Sequence, residues 1–175
     1  VDEIITSPEF GGGPHIRIFN KKGGLVTHFM AFDAKSRSGA TVATCDVNGD
    51  GKEEVIVGAG MGMEPKVRVF TQTTQDVFSF TEFNAYDATF KGGVNVSCGD
   101  VDLDGKPEII TGVQSNGVPH VRMFTPEGVL VSHFMAFDQK MLQGVNVMAC
   151  DVDGDKQDEV VVSQASGGKS AVRVF

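Results

Sequence analysis

One short pattern is written four times in this chain. It reads PHIRIF at residues 14–19, PKVRVF at 65–70, PHVRMF at 119–124 and SAVRVF at 170–175. Its arginines, Arg17, Arg68, Arg122 and Arg173, recur at intervals of 51, 54 and 51 residues. A second pattern, HFMAFD at 28–33, EFNAYD at 82–87 and HFMAFD at 133–138, keeps the same phase. The middle interval is longer because the stretch 71–78 carries three extra residues. A period in this range means that one supersecondary unit is repeated and stacked, and among all-β solutions the propeller blade is the leading candidate.

Each unit reads as four short strands. The first is a small-residue alternation (residues 40–45, 94–99 and 145–150). The second is EVIVGA, EIITGV or EVVVSQ, the third is VRVF, and the fourth is the LVTHFMAF, VFSFTEFNAY or LVSHFMAF run. Valine, isoleucine, threonine and phenylalanine dominate these runs, and glycine or proline breaks them. No i, i+3, i+4, i+7 apolar pattern lasts long enough for a helix. Runs such as VIV and IRIF are apolar on both faces, which suits a sheet packed between two neighbours. The expected fold is therefore all-β, with four-stranded β-propeller-type blades in about three and a half repeats of 51–54 residues. The chain divides as one repeat domain over 1–175: a partial blade at 1–33, repeats at 34–87 and 88–138, and a partial repeat at 139–175. VDEIIT at 1–6 aligns with QDEVVV at 157–162, so Glu3 matches the end of an acidic loop that is not in the sequence. The expectation is an open arc cut from a longer array, with strand edges at 1–6 and 172–175 that favour self-association or pairing with neighbouring repeats.

Between the first and second strands lies an acidic loop, written three times: DVNGDGKEE at 46–54, DVDLDGKPE at 100–108 and DVDGDKQDE at 151–159. Oxygen-bearing residues at loop positions 1, 3, 5 and 9 are what a hard divalent cation needs. Calcium takes six to eight oxygens at roughly 2.3–2.6 Å, and alternate residues of a tight loop can converge on one point. An EF-hand would need a bidentate glutamate at position 12 and flanking helices; Val57, Thr111 and Val162 stand there, inside β runs. Of the 23 aspartates and glutamates, 11 occupy these loop positions, so the formal net charge of -8 points first to cation binding. No basic stripe is present to neutralise phosphates, which argues against a nucleic-acid partner. No apolar stretch approaches the ~20 residues of a membrane span.

The remaining candidates for chemistry have plainer readings. Cys45, Cys98 and Cys150 each end an apolar strand and read as small buried residues, and an odd count cannot pair completely. His15, His28, His120 and His133 fall at repeat-equivalent places and read as inherited from the repeat unit. The arginines of the third strand, together with Asp33, Asp87 and Asp138, suggest an Arg–Asp or Arg–carbonyl contact between blades. The glycine-rich stretches at 11–14, 58–65, 115–119 and 166–170 read as turns, with Met61 to Glu64 the most unusual. No helix start or GK[ST] follows them, as a phosphate loop would require. No serine, histidine and aspartate arrangement suggests a triad, and an enzyme is not expected.

Loops of the type DxDxDGxxE, preceded by a small-residue strand and followed by VGAG-like strands, resemble the FG-GAP repeats of integrin alpha-subunit propellers. GGGPHIRIF, FMAFD, GGVNV and DVNGDG are closer still to the VCBS-type and FG-GAP-like repeats of bacterial surface and secreted proteins. The resemblance covers essentially the whole chain. It implies four-stranded blades, an extracellular or cell-surface setting, and up to three Ca2+ ions. Carried over residue by residue, the ligands would be Asp46, Asn48, Asp50, the Lys52 carbonyl and Glu54; Asp100, Asp102, Asp104, the Lys106 carbonyl and Glu108; and Asp151, Asp153, Asp155, the Gln157 carbonyl and Glu159. Two departures stand out. Asn48 removes one charge from the first loop, and Lys156 replaces the glycine that Gly51 and Gly105 supply at position 6. If that position needs positive φ, Lys156 adds strain of about 1 kcal/mol. The implied function is adhesion or recognition of a glycan or protein ligand. The alternative is a structural or assembly module whose repeats stack or pair, with calcium as a stiffener.

Overall fold

The structure is a computed structural model that describes residues 3–74, 76–167 and 171–175. Among the described residues, fourteen strands form four antiparallel sheets. The first sheet contains β1 (Glu3–Thr6), β2 (His15–Asn20) and β3 (Leu25–Met30). The second contains β4 (Ala40–Cys45), β5 (Glu54–Ala59), β6 (Lys66–Thr74) and β7 (Val77–Asn84). The third contains β8 (Val94–Gly99), β9 (Glu108–Val113), β10 (His120–Phe124) and β11 (Leu130–Met135). The fourth contains β12 (Val145–Cys150), β13 (Glu159–Gln164) and β14 (Val172–Val174). Within each sheet the strands pair in chain order. No helix occurs among the described residues.

Period-2 alternation sends successive side chains of a strand to opposite faces, and here both faces are used. In β5, Val55 and Val57 pack on the first sheet, while Ile56 packs on the third. In β9, Ile109 faces the second sheet and Ile110 the fourth. β5 and β9 are buried along their whole length. Three apolar clusters thus lie between consecutive sheets. The fourth strand of each unit is less apolar in practice than its sequence suggests: β7 and β11 are mostly exposed. The three extra residues of the middle unit lengthen the β6–β7 hairpin. There Phe78 stacks on Phe29, and Asp76 accepts a hydrogen bond from the buried Thr27 hydroxyl. Strand four also ends earlier than expected, at Met30, Asn84 and Met135. Ala31–Phe32, Ala85–Tyr86 and Ala136–Phe137 leave the sheet and turn into the core. The aspartate that follows closes an Asx turn, accepting from the backbone N–H of Lys35, Thr89 or Lys140.

That turn receives the arginine of the next unit. Arg68 donates to the Ala31 carbonyl, Arg122 to Ala85 and Arg173 to Ala136, at 2.6, 2.9 and 2.9 Å. Each guanidinium also lies over the aromatic ring beside that alanine: Phe32 at 4.8 Å, Tyr86 at 5.1 Å and Phe137 at 5.0 Å. The contact between units is thus arginine to carbonyl and ring, and the aspartates serve the turn. Arg17, which has no such carbonyl in front of it among the described residues, is exposed.

The cysteines depart from their sequence reading. Cys45 and Cys98 form a disulfide between β4 and β8, with Cα atoms 6.3 Å apart. Cys45 sits one residue before its loop and Cys98 two residues before. The alternation therefore points them at each other from adjacent sheets. Cys150 is free and half-buried.

A charge-assisted hydrogen bond contributes about 1.5–3 kcal/mol and a partly desolvated cation–π contact about 0.5–2 kcal/mol. Arg122→Ala should therefore lower unfolding free energy by about 2–3 kcal/mol, whereas Arg17→Ala should stay within about 0.5 kcal/mol of the parent. Urea denaturation of both variants measures this; equal losses would show that the arginine acts through something other than the latch.

Candidate metal centre

The three acidic loops fold alike because their side chains replace missing backbone partners. In the first, Asp46 accepts from the N–H groups of Gly49, Asp50 and Gly51. In the second, Asp100 accepts from Gly105 N–H; in the third, Asp151 accepts from Gly154 and Lys156 N–H. The position-5 aspartates, Asp50, Asp104 and Asp155, each accept from the N–H two residues on, at Lys52, Lys106 and Gln157. The position-9 glutamate reaches back across the loop: Glu54, Glu108 and Glu159 accept from Val47, Val101 and Val152 N–H.

Two of the loops gather carboxylates closely. One oxygen each from Asp100, Asp102 and Glu108 lies within 4.8 Å of the others, and so do those of Asp151, Asp153 and Glu159. The position-5 carboxylates lie outside these triads. In the first loop, Asn48 aims its amide Nδ2–H at Glu54 Oε1, 2.7 Å away, and its Oδ1 accepts from Asp50 N–H. The charge missing at Asn48 is thus replaced by a donor. Glu54 is 2 % exposed and Glu108 6 %. Burial, followed by the nearby aspartates, raises the carboxyl pKa of both above the usual range.

The fit to a cation rests on one atom in particular. Asp100 Oδ1 is buried and has no hydrogen-bond partner among the described residues. A buried carboxylate oxygen is costly to leave unpaired. Asp100 is one of the three acidic residues that gather in the second loop, and hard cations take all-oxygen sites of that kind.

The loops are also tied to one another. Asp158 Oδ2 accepts from Asp100 N–H, Asp158 N–H donates to the Asp100 carbonyl, and Gln157 Nε2 donates to the Val101 carbonyl at 2.6 Å. Gly99 is required at this contact. A Cβ there would come within 2.5 Å of Asp158 Oδ2 and 2.6 Å of the Ala149 Cβ. The sequence reading missed this latch, although Asp158 at position 8, where the other loops carry Glu53 and Pro107, is its visible trace.

Backbone strain is distributed unevenly. Position 6 is left-handed in all three loops, at φ 83° in Gly51, 83° in Gly105 and 79° in Lys156. Lys156 therefore carries the strain expected of it. Position 4 is also left-handed: Gly49 and Gly154 fill it in two loops, but Leu103 does so in the second, at φ 63°. That departure went unread in the sequence. An L residue in this region costs about 1–2 kcal/mol, partly offset by the entropy that glycine loses on folding. Lys156→Gly should raise metal-free stability by about 0.5–1 kcal/mol, while Lys156→Ala, which removes the charge but keeps the strain, should be near neutral. Thermal or urea unfolding of the pair in chelator decides this; a gain shared by Lys156→Ala would put the effect on charge.

Residues 46–111 match the model of the FG-GAP-like repeat. The matched segment is less than half of the chain. It runs from the first acidic loop through β5–β8 to the second loop and into β9. No curated protein matches the chain.

Other candidates fall into structural roles. Met61 and Met63 accept hydrogen bonds from Ser115 and Ser36 of flanking turns, so the unusual stretch at 61–64 is packed between its neighbours. Of the glycine-rich stretches, the fourth lies partly outside the described residues, as do residues 1–2 of the expected N-terminal edge and Ser170 of the last VRVF segment. Tyr86, the single tyrosine, is buried, and burial pushes its hydroxyl pKa up. The histidines pair across strands, His15 with His28 at 3.0 Å and His120 with His133 at 3.2 Å. In the middle unit Lys66 and Glu82 take these places as an ion pair at 2.6 Å.

His120 is held down to about 4, first by burial and then by Arg122 and His133. Its folded value lies below the ordinary 6.5, so the unfolded chain takes up this proton first as pH falls. The contribution of neutral His120 to stability is complete above about pH 6.5 and is lost between there and about pH 4. Imidazole NMR should place its titration near 4, and His120→Gln should remove that part of the pH dependence; a titration near 6.5 would contradict the burial argument.

Proposed function

We propose that this chain is a calcium-binding extracellular module of the β-propeller type, whose sheets act as blades for adhesion or for recognition of a glycan or protein ligand. The single observation that carries the calcium reading is the unpaired, buried Asp100 Oδ1 within the Asp100, Asp102 and Glu108 cluster. The proposed ligands are Asp46, Asn48, Asp50, Glu54 and the Lys52 carbonyl in the first loop. In the second they are Asp100, Asp102, Asp104, Glu108 and the Lys106 carbonyl. In the third they are Asp151, Asp153, Asp155, Glu159 and the Gln157 carbonyl. Bound calcium would neutralise the carboxylates that crowd these loops. The chain's own residues do the rest: position 1 braces the loop backbone, position 9 closes the loop against the sheet, and Asp158 joins the third loop to the second.

The extracellular setting draws support from the Cys45–Cys98 disulfide, since such bonds persist in oxidising compartments. The ligand class rests on the match of residues 46–111 to the FG-GAP-like repeat. An open cleft of about 750 Å3 beside the first two sheets has Glu3, Thr27, Lys52, Glu53 and Gln72 on its wall along with the edge of the apolar cluster, and offers a polar surface to a ligand. The second reading, a structural or assembly module, is favoured by the apolar outer face of the fourth sheet, where Val172 and Val174 are exposed.

Binding only to the folded state adds RT ln(1 + [L]/Kd), about 2.7 kcal/mol per site at a hundredfold excess over Kd. Calcium should therefore raise the melting temperature above its value in chelator. Asp102→Ala should cut the calorimetric heat of the second site while leaving the chelator value within a few degrees of the parent. A melting temperature identical in calcium and in chelator would overturn the metal reading. Screening the calcium-loaded chain on a glycan array tests the recognition reading separately.

A further inference from the structure

Every sheet in this chain has a leading face, turned toward the sheet that follows it, and a trailing face. The leading faces of the second and third sheets are covered within the chain. On the second sheet, Val47, Val67 and Val69 are 7 %, 0 % and 5 % exposed. On the third, Val121 and Met123 are 0 % and 8 % exposed. On the fourth sheet the equivalent residues Val152, Val172 and Val174 are 53 %, 65 % and 52 % exposed, and Met148 between them is 53 % exposed.

Asn146 and Cys150 on that face stand where earlier sheets contact the sheet that follows, a contact made twice in this chain at the place of Asn146 and once at that of Cys150. Thr41, at the second position of β4, donates to the Val94 carbonyl at the start of β8. Asn95, at the same position of β8, donates to the Val145 carbonyl at the start of β12. Asn146 holds this position in β12, where its Nδ2 donates to Ser163 Oγ at 3.4 Å and its Oδ1 accepts from Asn95 Nδ2 at 3.1 Å, so one Nδ2 hydrogen is left to donate forward. The cysteines follow the same logic. Cys45, one residue before its loop, faces forward and joins Cys98, which sits two residues before the next loop and faces back. Cys150, one residue before its loop, faces forward and is free.

We propose that the leading face of the fourth sheet is a docking surface for one further sheet of this same repeat. That sheet carries a cysteine two residues before its own acidic loop and is locked on by a disulfide to Cys150. In the docked state Asn146 donates to the first carbonyl of the incoming inner strand, and Val152, Val172 and Val174 become buried. The covalent step needs a disulfide oxidant, such as oxidised glutathione. The Cys150 thiolate attacks it and releases one glutathione thiol, and the incoming cysteine then displaces the second. Two protein thiols thus lose two protons and two electrons, and one glutathione disulfide becomes two thiols.

The experiment extends the chain. Residues 71–138 are appended after Phe175, which places a second copy of Cys98 at the 53-residue separation of the existing pair. After folding in a glutathione redox buffer, the extended chain should show no free thiol, and peptide mapping should link Cys150 to the appended cysteine. A second version moves that cysteine one residue later, onto the opposite strand face; it should leave both thiols free. In a third version, with the appended cysteine changed to serine, Cys150 should react with iodoacetamide at least tenfold more slowly than in the unextended chain. Val172→Asp with Val174→Asp should abolish both the link and the protection. Two free thiols in the first version with unchanged reactivity in the third would overturn the proposal. Equal linking in the first two versions would overturn it too, since tethering alone would then explain the bond. A Cys150–Cys150 dimer of the unextended chain would show that the face takes a second copy instead.

Discussion

The arginine latch between consecutive units is the contact on which the stacking depends. A guanidinium cannot be deprotonated, so drawing it partly out of water is offset when an N–H donor and its flat face both find partners. Arg68, Arg122 and Arg173 each place one N–H on an alanine carbonyl and the guanidinium over the ring of the next residue, although Arg122 Nε is left without a hydrogen-bond partner among the described residues and Arg173 is exposed. The carbonyl is available because strand four stops short and the chain turns inward, leaving that group outside the sheet's ladder. The Asx turn at Asp33, Asp87 or Asp138 holds the turn in place. This polar contact, together with those of Thr41, Asn95 and Asp158, fixes the register of sheets whose facing valines and isoleucines would tolerate sliding. Arg68 shows how far the site can be elaborated: Glu82 pairs with it at 2.6 Å, and Phe80 lies 4.3 Å beneath it. Burial works against the Glu82 carboxylate, but Lys66 and Arg68 outweigh it and hold its pKa below the usual range.

Much of this was legible from the sequence because it repeats. The small-residue strands and the EVIVGA, EIITGV and EVVVSQ strands appear with the bounds the pattern gave them. The loops and the positive φ at Lys156 follow from comparing units. What escaped depends on relations between faces. The offset of one residue between Cys45 and Cys98 looks like noise along the chain, but across two sheets it turns the thiols toward each other. HFMAFD reads as uninterrupted strand because Ala, Phe and Met carry no mark of which carbonyl another repeat will use. Leu103 was hidden by its type, since leucine at a left-handed position announces itself only against the glycines of its sister loops.

The loops join an electrostatic problem to a mechanical one. The position-9 glutamates begin the second strand of each unit, and in the second and third sheets that strand is the most buried element. Glu54 and Glu108 are therefore carried out of water by the packing of the sheets, and burial raises their pKa values. The aspartates that would share a cation with them crowd the same space. The Asp158 contacts make the third loop sensitive to the backbone of the second. Between the first and second loops, Pro107 cannot supply the N–H that Asp158 uses, and those units are joined by the Cys45–Cys98 bond instead.

The chain thus carries two ways of fixing adjacent units near their acidic loops, a disulfide between the second and third sheets and a loop latch between the third and fourth. They cannot be used together at one junction, because each requires a different residue just before the loop. A disulfide of the observed kind needs cysteine one residue before the leading loop. The loop latch needs glycine there, as Gly99 shows, since any Cβ would meet Asp158 and Ala149. The fourth sheet has Cys150 at this place, so a sheet packed on it in the same register would find the disulfide position prepared and the latch position blocked. Which device serves a junction is therefore decided by one residue of the earlier sheet, and the sequence states that choice for each unit before the next unit is reached.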